Sequence, residues 1–378
     1  MTVKTIGVIG GGQLAWMMGE AAPNLGLELI VQTPNSDDPA VSRAKEVVLG
    51  AIADSAATTK LATVCDIITF ENEFVNLKAL RSIARQDIIF RPSLDALAPL
   101  LDKYQQRTYL QNIVPVPRFS LLKKPEDLQK LSSDNFPVVL KARRHGYDGQ
   151  GTFIVKDLAQ LNATWQKCGS PSMLLEEFVP FTKELAIMVA RNNRGEIVTY
   201  PVVETHQKQQ VCRWVIAPAE ISKIVTERVM AIAKTIVEQL QFVGILGIEL
   251  FLTSDEEVLV NEIAPRTHNS GHYTLDACNI SQFEMQLRAV ADLPLTPPVM
   301  KSAAAVMINL LGYETSLNDY LQKRQQISLL PNTYVHWYGK NESRPGRKLG
   351  HVTVLSFEDK DRSQVRDIVN KIESIWYD

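Results

Sequence analysis

Glu249 and Glu262 are the residues whose setting most invites chemistry. Glu249 interrupts the apolar run Gly247-Ile248-Glu249-Leu250-Phe251, and Glu262 follows Asn261 in the next run. An unpaired charge among apolar neighbours is unfavourable, so each acid needs a compensating cation. Two acids and an amide on adjacent strands make an oxygen cage suited to Mg2+, open where nucleotide phosphates would complete it. The plainer alternative is a solvated sheet face. Lys141 ends the strand-like run from Pro137 and is followed by the loop His145-Gly146-Tyr147-Asp148-Gly149-Gln150-Gly151. A strand-end lysine neutralises phosphate, and a glycine loop can fold over that phosphate with its backbone N–H groups. The arrangement is not the P-loop pattern, and it reverses the kinase order, in which the glycine loop precedes the lysine. Its structural alternative is a basic hairpin turn.

Four further segments offer weaker signals. Gly10-Gly11-Gly12-Gln13-Leu14-Ala15, between a strand and a helix, matches the dinucleotide fingerprint literally. That fingerprint needs an acid at the end of the second strand, where Val31-Gln32-Thr33 stands instead. What remains is a turn whose helix-terminal N–H groups attract anions, either for a polar substrate or for the fold alone. Leu174-Leu175-Glu176-Glu177-Phe178-Val179, with Glu184 beyond, could present backbone to an adenine and a carboxylate to a ribose, or be an ordinary strand. His268 and His272 have the i, i+4 spacing of a zinc pair, but Pro265 and Gly271 argue against a helix there. A polar loop supplying Arg266 and Asn269 to oxyanions fits better. Arg344-Pro345-Gly346-Arg347-Lys348-Leu349-Gly350-His351 is either a solvated basic loop or a phosphate clamp.

The elements that must position these residues fall into three styles. Up to about residue 100, short apolar runs (Thr5–Ile9, Leu29–Val31, Val47–Leu49, Ile67–Phe70, Ile88–Phe90) alternate with helical stretches. That predicts a doubly wound parallel sheet. A polar helix over Asp102 to Asn112 and the run Val114-Pro115-Val116-Pro117 lead into a mixed α+β region. It includes strands at Met173–Glu177, Glu184–Ala190 and Ile197–Val203, a long helix from Ile221 to Leu240, and a hairpin of Ile245–Leu252 with Glu257–Ile263. The tail has strand-like runs at Ala303–Asn309, Thr333–Trp337 and His351–Leu355, then a closing helix, and reads as a small β-rich cap. The expected partition is 1–100, 101–300 with a lid near 118–180, and 301–378.

Composition excludes several classes. The 378 residues carry a net charge of −2, which leaves no broad basic face for nucleic acid. No run approaches the roughly 20 apolar residues of a membrane helix, and Met1-Thr2-Val3-Lys4 leads into a strand with no cleavage pattern. Cys65, Cys168, Cys212 and Cys278 are scattered, with no C-x-x-C pair, which suits reduced thiols in the cytoplasm.

Taken in order, the strand lysine, glycine loop, Glu-rich strand, lone Glu184 and Glu…Asn-Glu hairpin resemble the ATP-grasp superfamily. Gly10–Leu14 in front, Tyr147-Asp148-Gly149 within, and the segments Ala264–His272 and Arg344–Lys348 behind make the chain similar, along essentially its full length, to the N5-carboxyaminoimidazole ribonucleotide synthetase family. That resemblance implies an ATP-grasp fold with a Rossmann-like parallel-sheet domain before it and a small β-rich domain after it. It also implies ATP- and bicarbonate-dependent carboxylation of aminoimidazole ribonucleotide through carboxyphosphate, Mg2+, and a homodimer. ATP contacts are expected from Lys103, Lys141, Gly146, Tyr147, Asp148, Gly149, Gln150, Gly151, Thr152, Glu176, Glu177, Phe178, Val179, Glu184, Gln207, Asn261 and Glu262. Glu249 and Glu262 are the expected metal ligands. The ribonucleotide is expected at Gln13, Leu14, Glu71, Tyr147, Asp148, His268, Asn269, Arg347 and Lys348, with Glu73 lining the same cleft. Asp148, Arg266 and Lys348 are the candidates nearest the chemistry: Arg266 for the bicarbonate oxyanion and Asp148 for the amine. Two positions depart from the family pattern. Gln150 replaces a base, and Gln207, preceded by His206, stands where the family often has a histidine. Rival readings are another ATP-grasp ligase, disfavoured by Arg344–His351, an NAD-dependent dehydrogenase, disfavoured by Gln32, and a non-catalytic nucleotide sensor, disfavoured by retention of Lys141, Glu249 and Glu262.

Overall fold

The computed structural model describes residues 3–84, 88–144, 151–356 and 362–378. Thr5–Ile9 (β1), Glu28–Thr33 (β2), Glu46–Leu49 (β3) and Ile67–Phe70 (β4) form a parallel sheet in the order β3-β2-β1-β4. The buried residues of its central strands are mainly apolar because both faces are covered, with Gln32 and Thr33 of β2 as polar exceptions. One face packs on the Gln13–Ala21 helix, the other on helices Ser55–Ala62 and Leu77–Ile83. The expected strand at Ile88–Phe90 is reduced to a single parallel bridge from Phe90 to Ile68. Pro92, without an N–H, ends the pairing there.

A second, antiparallel sheet has the order β5-β8-β6-β7. Its strands are Phe119–Leu122 (β5), Val138–Ala142 (β6), Thr152–Val155 (β7) and Met173–Glu177 (β8). The Leu158–Lys167 helix seals it through Leu161 and Trp165.

The third sheet is the largest. It holds Phe181–Arg191 (β9), Ile197–Thr199 (β10), Val203–Lys208 (β11), Val211–Ala217 (β12), Gly244–Thr253 (β13), Val258–Ala264 (β14), Ala304–Leu311 (β15), Thr333–Trp337 (β16) and Lys348–Ser356 (β17). The order is β14-β13-β9-β11-β12-β15-β17-β16, with β10 beside β9. The run expected as one strand over Ile197–Val203 is split, and Pro201 lies in the break. The Lys223–Gln239 helix buries Val225, Val229, Ile232 and Ile236 against one face. The Gln282–Val290 helix lies on the other side. It turns Met285 and Ala289 toward the sheet, and Phe283, Leu287 and Val290 toward the N-terminal unit. The β-rich tail is present, and its strands extend the same sheet, since β15 pairs with β12 from Trp214↔Ile308 to Ala217↔Ala305. No helix among the described residues is long and apolar enough to cross a membrane.

Candidate active site

Glu249 and Glu262 are direct partners in the β13–β14 ladder. One pair further on, Leu250 faces Val260, so Asn261 is the extra residue of a β-bulge. A bulge re-aims side chains, and here it lets both Asn261 and Glu262 reach the cations opposite. Glu184 joins them from β9: it pairs with Phe251, two residues along from Glu249, and therefore shares its face. Burial, then the neighbouring Glu262, pushes the Glu249 carboxyl up to about 7. Burial, then Glu249, pushes Glu184 up to about 7 as well. For Glu262, burial acts in the same direction, but Lys103, which bonds it, together with Lys141 and Arg107 outweighs it and holds the carboxyl below its ordinary range.

The cations come from two elements. Lys103 and Arg107 are four residues apart on the Lys103–Leu110 helix, so they share a face. Lys141 sits near the end of β6, buried, with Nζ 2.6 Å from Glu176 Oε2 and 3.0 Å from Asn261 Oδ1. The Arg107 guanidinium donates to Glu176, to the Val260 carbonyl at 3.0 Å and to the Asn261 carbonyl at 2.6 Å. Burial alone would raise the Glu176 carboxyl, but Lys141 and Arg107 prevail and keep it at about 2. Burial, with Arg107 and Lys103 nearby, lowers Lys141 against the pull of Glu176. This cluster ties the four-stranded sheet to the large one. Gln106 adds a reciprocal pair with the Ile263 backbone, at 3.0 and 2.8 Å. The basic pair after Lys141 points back instead of toward phosphate: Arg143 and Arg144 bond Asp102, the cap of the Lys103 helix.

The glycine turn after β1 holds a carboxylate of the protein itself. Glu71 accepts from Gly12 N–H at 2.8 Å and Leu14 N–H at 3.1 Å, at the start of the Gln13–Ala21 helix. A Cβ on Gly12 would stand 2.4 Å from Glu71 Oε1, and one on Gly10 2.5 Å from Oε2. The glycines thus make room for Glu71, whose carboxyl is raised by burial against the pull of these N–H groups. The anion-attracting end of the helix is filled from within. Two residues on, Glu73 grips Arg266 with two bonds, at 2.8 and 3.3 Å.

The loop after β14 completes the cleft. His268 Nε2 lies 3.7 Å from Glu249, and His268 Nδ1 lies 2.9 Å from Ser270. His272 lies against Gln13 and Gln282, so both histidines are engaged and the i, i+4 zinc pair does not form. Asn269 and Asn309 exchange amide hydrogen bonds at 2.9 and 2.8 Å. Arg347 donates to the Glu342 carbonyl at 2.6 Å, and Lys348 opens β17 with its charge bearing on Glu249 and His272. Asp276, His336 and His351 also cluster. The two imidazoles, however, stack at 4.5 Å with planes 11° apart, and a metal cannot lie in both ring planes at once.

Residues 107–283 match the ATP-grasp domain, 3–99 the ribonucleotide synthetase preATP-grasp domain, and 305–365 the phosphoribosylaminoimidazole carboxylase C-terminal domain. The N5-carboxyaminoimidazole ribonucleotide synthase of Synechococcus elongatus is 52% identical over 99% of this chain and 96% of that protein. The chain belongs to the N5-carboxyaminoimidazole ribonucleotide synthase family. Solved members of the family superpose along their length. The Thermotoga maritima synthetase is 39% identical with a TM-score of 0.85, covering 98% of each chain. The Aspergillus clavatus synthase, solved with ADP and 5-aminoimidazole ribonucleotide, is 29% identical with a TM-score of 0.91 over 100% of this chain and 99% of that one.

Within this synthase fold, Lys103, Lys141, Glu176, Glu184, Glu249, Asn261 and Glu262 converge on one wall. Gln13, His268 and Lys348 bear on His272, Glu71 feels Arg266, and Asn269 reaches Asn309 of β15. Leu14 contributes its backbone N–H to Glu71. Thr152 opens β7 and Gly151 stands just before it, its carbonyl accepting from Ala142 N–H at 2.7 Å. Gly151 takes φ +79, and a Cβ there would meet Ala142 at 2.8 Å. Glu177 turns aside to pair with Arg118. Val179 is buried and Phe178 partly exposed in the link from β8 to β9. Gln207 stands two residues past Thr205, the partner of Glu184 on β11. Gly146, Tyr147, Asp148, Gly149 and Gln150 lie outside the described residues. Sequence reasoning missed Arg107, Gln282 and Asn309. Gln282 and Asn309 are polar residues in an amphipathic helix and an apolar strand, and that is the signal that could have found them; Arg107, in a polar helix, carries no such signal.

Proposed function

We propose that this chain joins bicarbonate to the exocyclic amine of 5-aminoimidazole ribonucleotide, using ATP and passing through carboxyphosphate, as a step of de novo purine (IMP) synthesis. The observation that carries this reading is the facing of Glu249 and Glu262 by Lys103 and Lys141. It lies in a chain similar throughout to an enzyme solved with ADP and that ribonucleotide.

The oxygen-only donor set of Glu249, Glu262 and Asn261 suits Mg2+. Lys103 compensates Glu262, and Glu249, pushed up to about 7, is the acid short of positive charge. Mg2+ held by Glu249 and Glu262 would draw charge from the ATP phosphates. Lys141 and Lys103 stabilise the phosphoryl group as it moves to bicarbonate, when charge spreads over its oxygens. Arg266, kept in place by Glu73, holds the bicarbonate and then carboxyphosphate oxyanion, with Lys348 as a second cation for the chemistry. Carboxyphosphate, or the CO2 it releases, then meets the amine: a C–N bond forms, phosphate leaves, and Asp148 orients the amine or takes its proton. Residues 146–152 exclude water, which would hydrolyse the intermediate. Gln13, His268, Asn269 and Arg347 hold the ribonucleotide. The same reading partitions the chain at about residues 100 and 300 and makes the enzyme a cytoplasmic homodimer.

ADP release with Mg-ATP and bicarbonate, with and without 5-aminoimidazole ribonucleotide, tests the proposal. Strong stimulation by the ribonucleotide is expected. ATP turnover indifferent to it would mean a different acceptor, and no turnover at all would point to a nucleotide-binding protein.

A further inference from the structure

Gln282 begins the Gln282–Val290 helix with its side chain fully buried between two histidines. Its Oε1 accepts from the His268 backbone N–H at 2.9 Å. Its Nε2 donates to the His268 carbonyl at 2.8 Å and faces His272 Nδ1 at 2.8 Å. A backbone N–H only donates and a backbone carbonyl here only accepts, so the two ends of this amide are determined by chemistry. The second hydrogen on Nε2 must then point at His272 Nδ1, which has to be a bare lone pair. His272 is buried, and burial followed by the charge of Lys348 keeps it neutral. A neutral imidazole with an open Nδ1 carries its hydrogen on Nε2. The approach depends on Gly271, where a Cβ would lie 2.6 Å from Gln282 Oε1.

The hydrogen on His272 Nε2 faces the terminal amide of Gln13, whose nitrogen as placed lies 3.4 Å away and changes places with Oε1 on a simple turn of the amide. It needs an acceptor, and the amide has only one, Oε1. The Gln13 amide also meets the Tyr338 hydroxyl, which lies 2.7 Å from His351 Nδ1. With Oε1 at that point, Tyr338 donates to Gln13 and accepts from His351 Nδ1–H. His351 Nε2, buried without a partner among the described residues, is then a lone pair and not a stranded N–H. Stranded donors are the rarer defect in folded proteins, so this direction of bonding agrees with a second, separate observation.

We propose that Gln282 is a positioning residue that fixes His272 as the Nε2–H tautomer and, through it, turns the Gln13 amide so that its NH2 group is offered to the ribonucleotide. The identity of that ligand rests on the function proposed above; the tautomer does not. Gln13 thereby selects for a hydrogen-bond acceptor on the substrate, supplied by a ribose oxygen, a phosphate oxygen or a ring nitrogen.

Nitrogen-15 NMR of the full-length protein, labelled at histidine, reads the tautomer directly. His272 is assigned by the signal that disappears in His272→Asn. The expected spectrum has the hydrogen on Nε2, and a hydrogen on Nδ1 in the wild type overturns the assignment whatever the substrate. In Gln282→Glu the new carboxylate accepts where the amide donated, so the His272 hydrogen is expected to move to Nδ1. The KM for the ribonucleotide is then expected to rise by about tenfold or more, the scale of one misplaced buried hydrogen bond. The KM for ATP should stay within about twofold. A moved hydrogen with an unchanged ribonucleotide KM overturns the link to Gln13. Gln13→Glu, which keeps the shape and removes the NH2, supplies a second variant and should raise the same KM. A wild-type enzyme indifferent to the ribonucleotide would sink the functional reading and leave the tautomer to be judged by the spectrum.

Discussion

Glu249 and Glu262 face each other across one rung of the β13–β14 ladder, yet their carboxyls are displaced in opposite directions from the ordinary range. Lys103 lies on Glu262, and Glu249 has His268 at 3.7 Å. The asymmetry makes Glu249 and its neighbour Glu184 the acids that a bound cation would relieve.

The pH dependence of stability should carry this signature. Glu184 and Glu249 are pushed up to about 7, whereas an unfolded glutamate titrates near ~4.3. Between these values the folded protein keeps protons that the unfolded chain has lost, so stability falls as pH rises through the window. Glu176 acts oppositely: held at about 2, it contributes stability above its unfolded value that is lost in acid. Unfolding free energies from urea titration should therefore drop between pH 5 and pH 7 by about 1–2 kcal/mol per raised group, discounted for partial exposure. Glu249→Gln should flatten the slope and be the more stable protein at pH 7.5. A steeper slope in that variant would contradict the account.

Glu262→Gln removes the partner of Lys103 and one of the two opposed acids. ADP release should fall by about a hundredfold or more, within the range of losing a group that stabilises transferring charge. The fold should persist, because Gln can still bond Lys103. Circular dichroism and turnover, measured side by side, separate the two effects.

Arg107→Met leaves Glu176 buried with Lys141 alone and strips the Val260 and Asn261 carbonyls of their donors. Breaking a buried pair in this way costs about 3–5 kcal/mol. A thermal unfolding scan should show a large drop in midpoint, and the KM for ATP of the folded fraction should rise. An unchanged midpoint would mean that Glu176 finds another partner.

Gly12→Ala should be destabilising by about 1–3 kcal/mol, because its Cβ would press into the Glu71 carboxylate. Glu71→Ala in the same chain should recover part of the loss by making space. Additive losses in the double variant would show that the glycine is needed for something other than room.

Much of this site could be read from residue types. The strand-end Lys141, the opposed Glu249 and Glu262 and the polar loop from Arg266 to His272 all keep company as their chemistry suggested, because a charge in an apolar run must find its complement nearby. The alternating strands of the first hundred residues and the β13–β14 hairpin were equally legible, since their periodicity is local. What escaped depends on contacts distant in sequence. The Gly10–Gly12 turn looks like an anion site until Glu71, from another strand, is seen to fill it. Arg143 and Arg144 look like phosphate ligands until Asp102 claims them. Gln282 and Arg107 are ordinary polar residues on their own helices, and only tertiary packing places their amide and guanidinium against the cleft. The strand missed at Val203–Lys208 followed a proline and carried polar residues on both faces, so neither period stood out.

The seam between β12 and β15 has a consequence for how such a chain is made and broken. Every hydrogen-bonding group along Trp214–Ala217 on that side is satisfied by residues that arrive some ninety positions later in synthesis. Until Ala304–Leu311 emerges, β12 is an open edge, and open edges recruit other strands, including those of neighbouring copies. A chain truncated near residue 300 would retain every residue of the ATP wall and still be expected to aggregate.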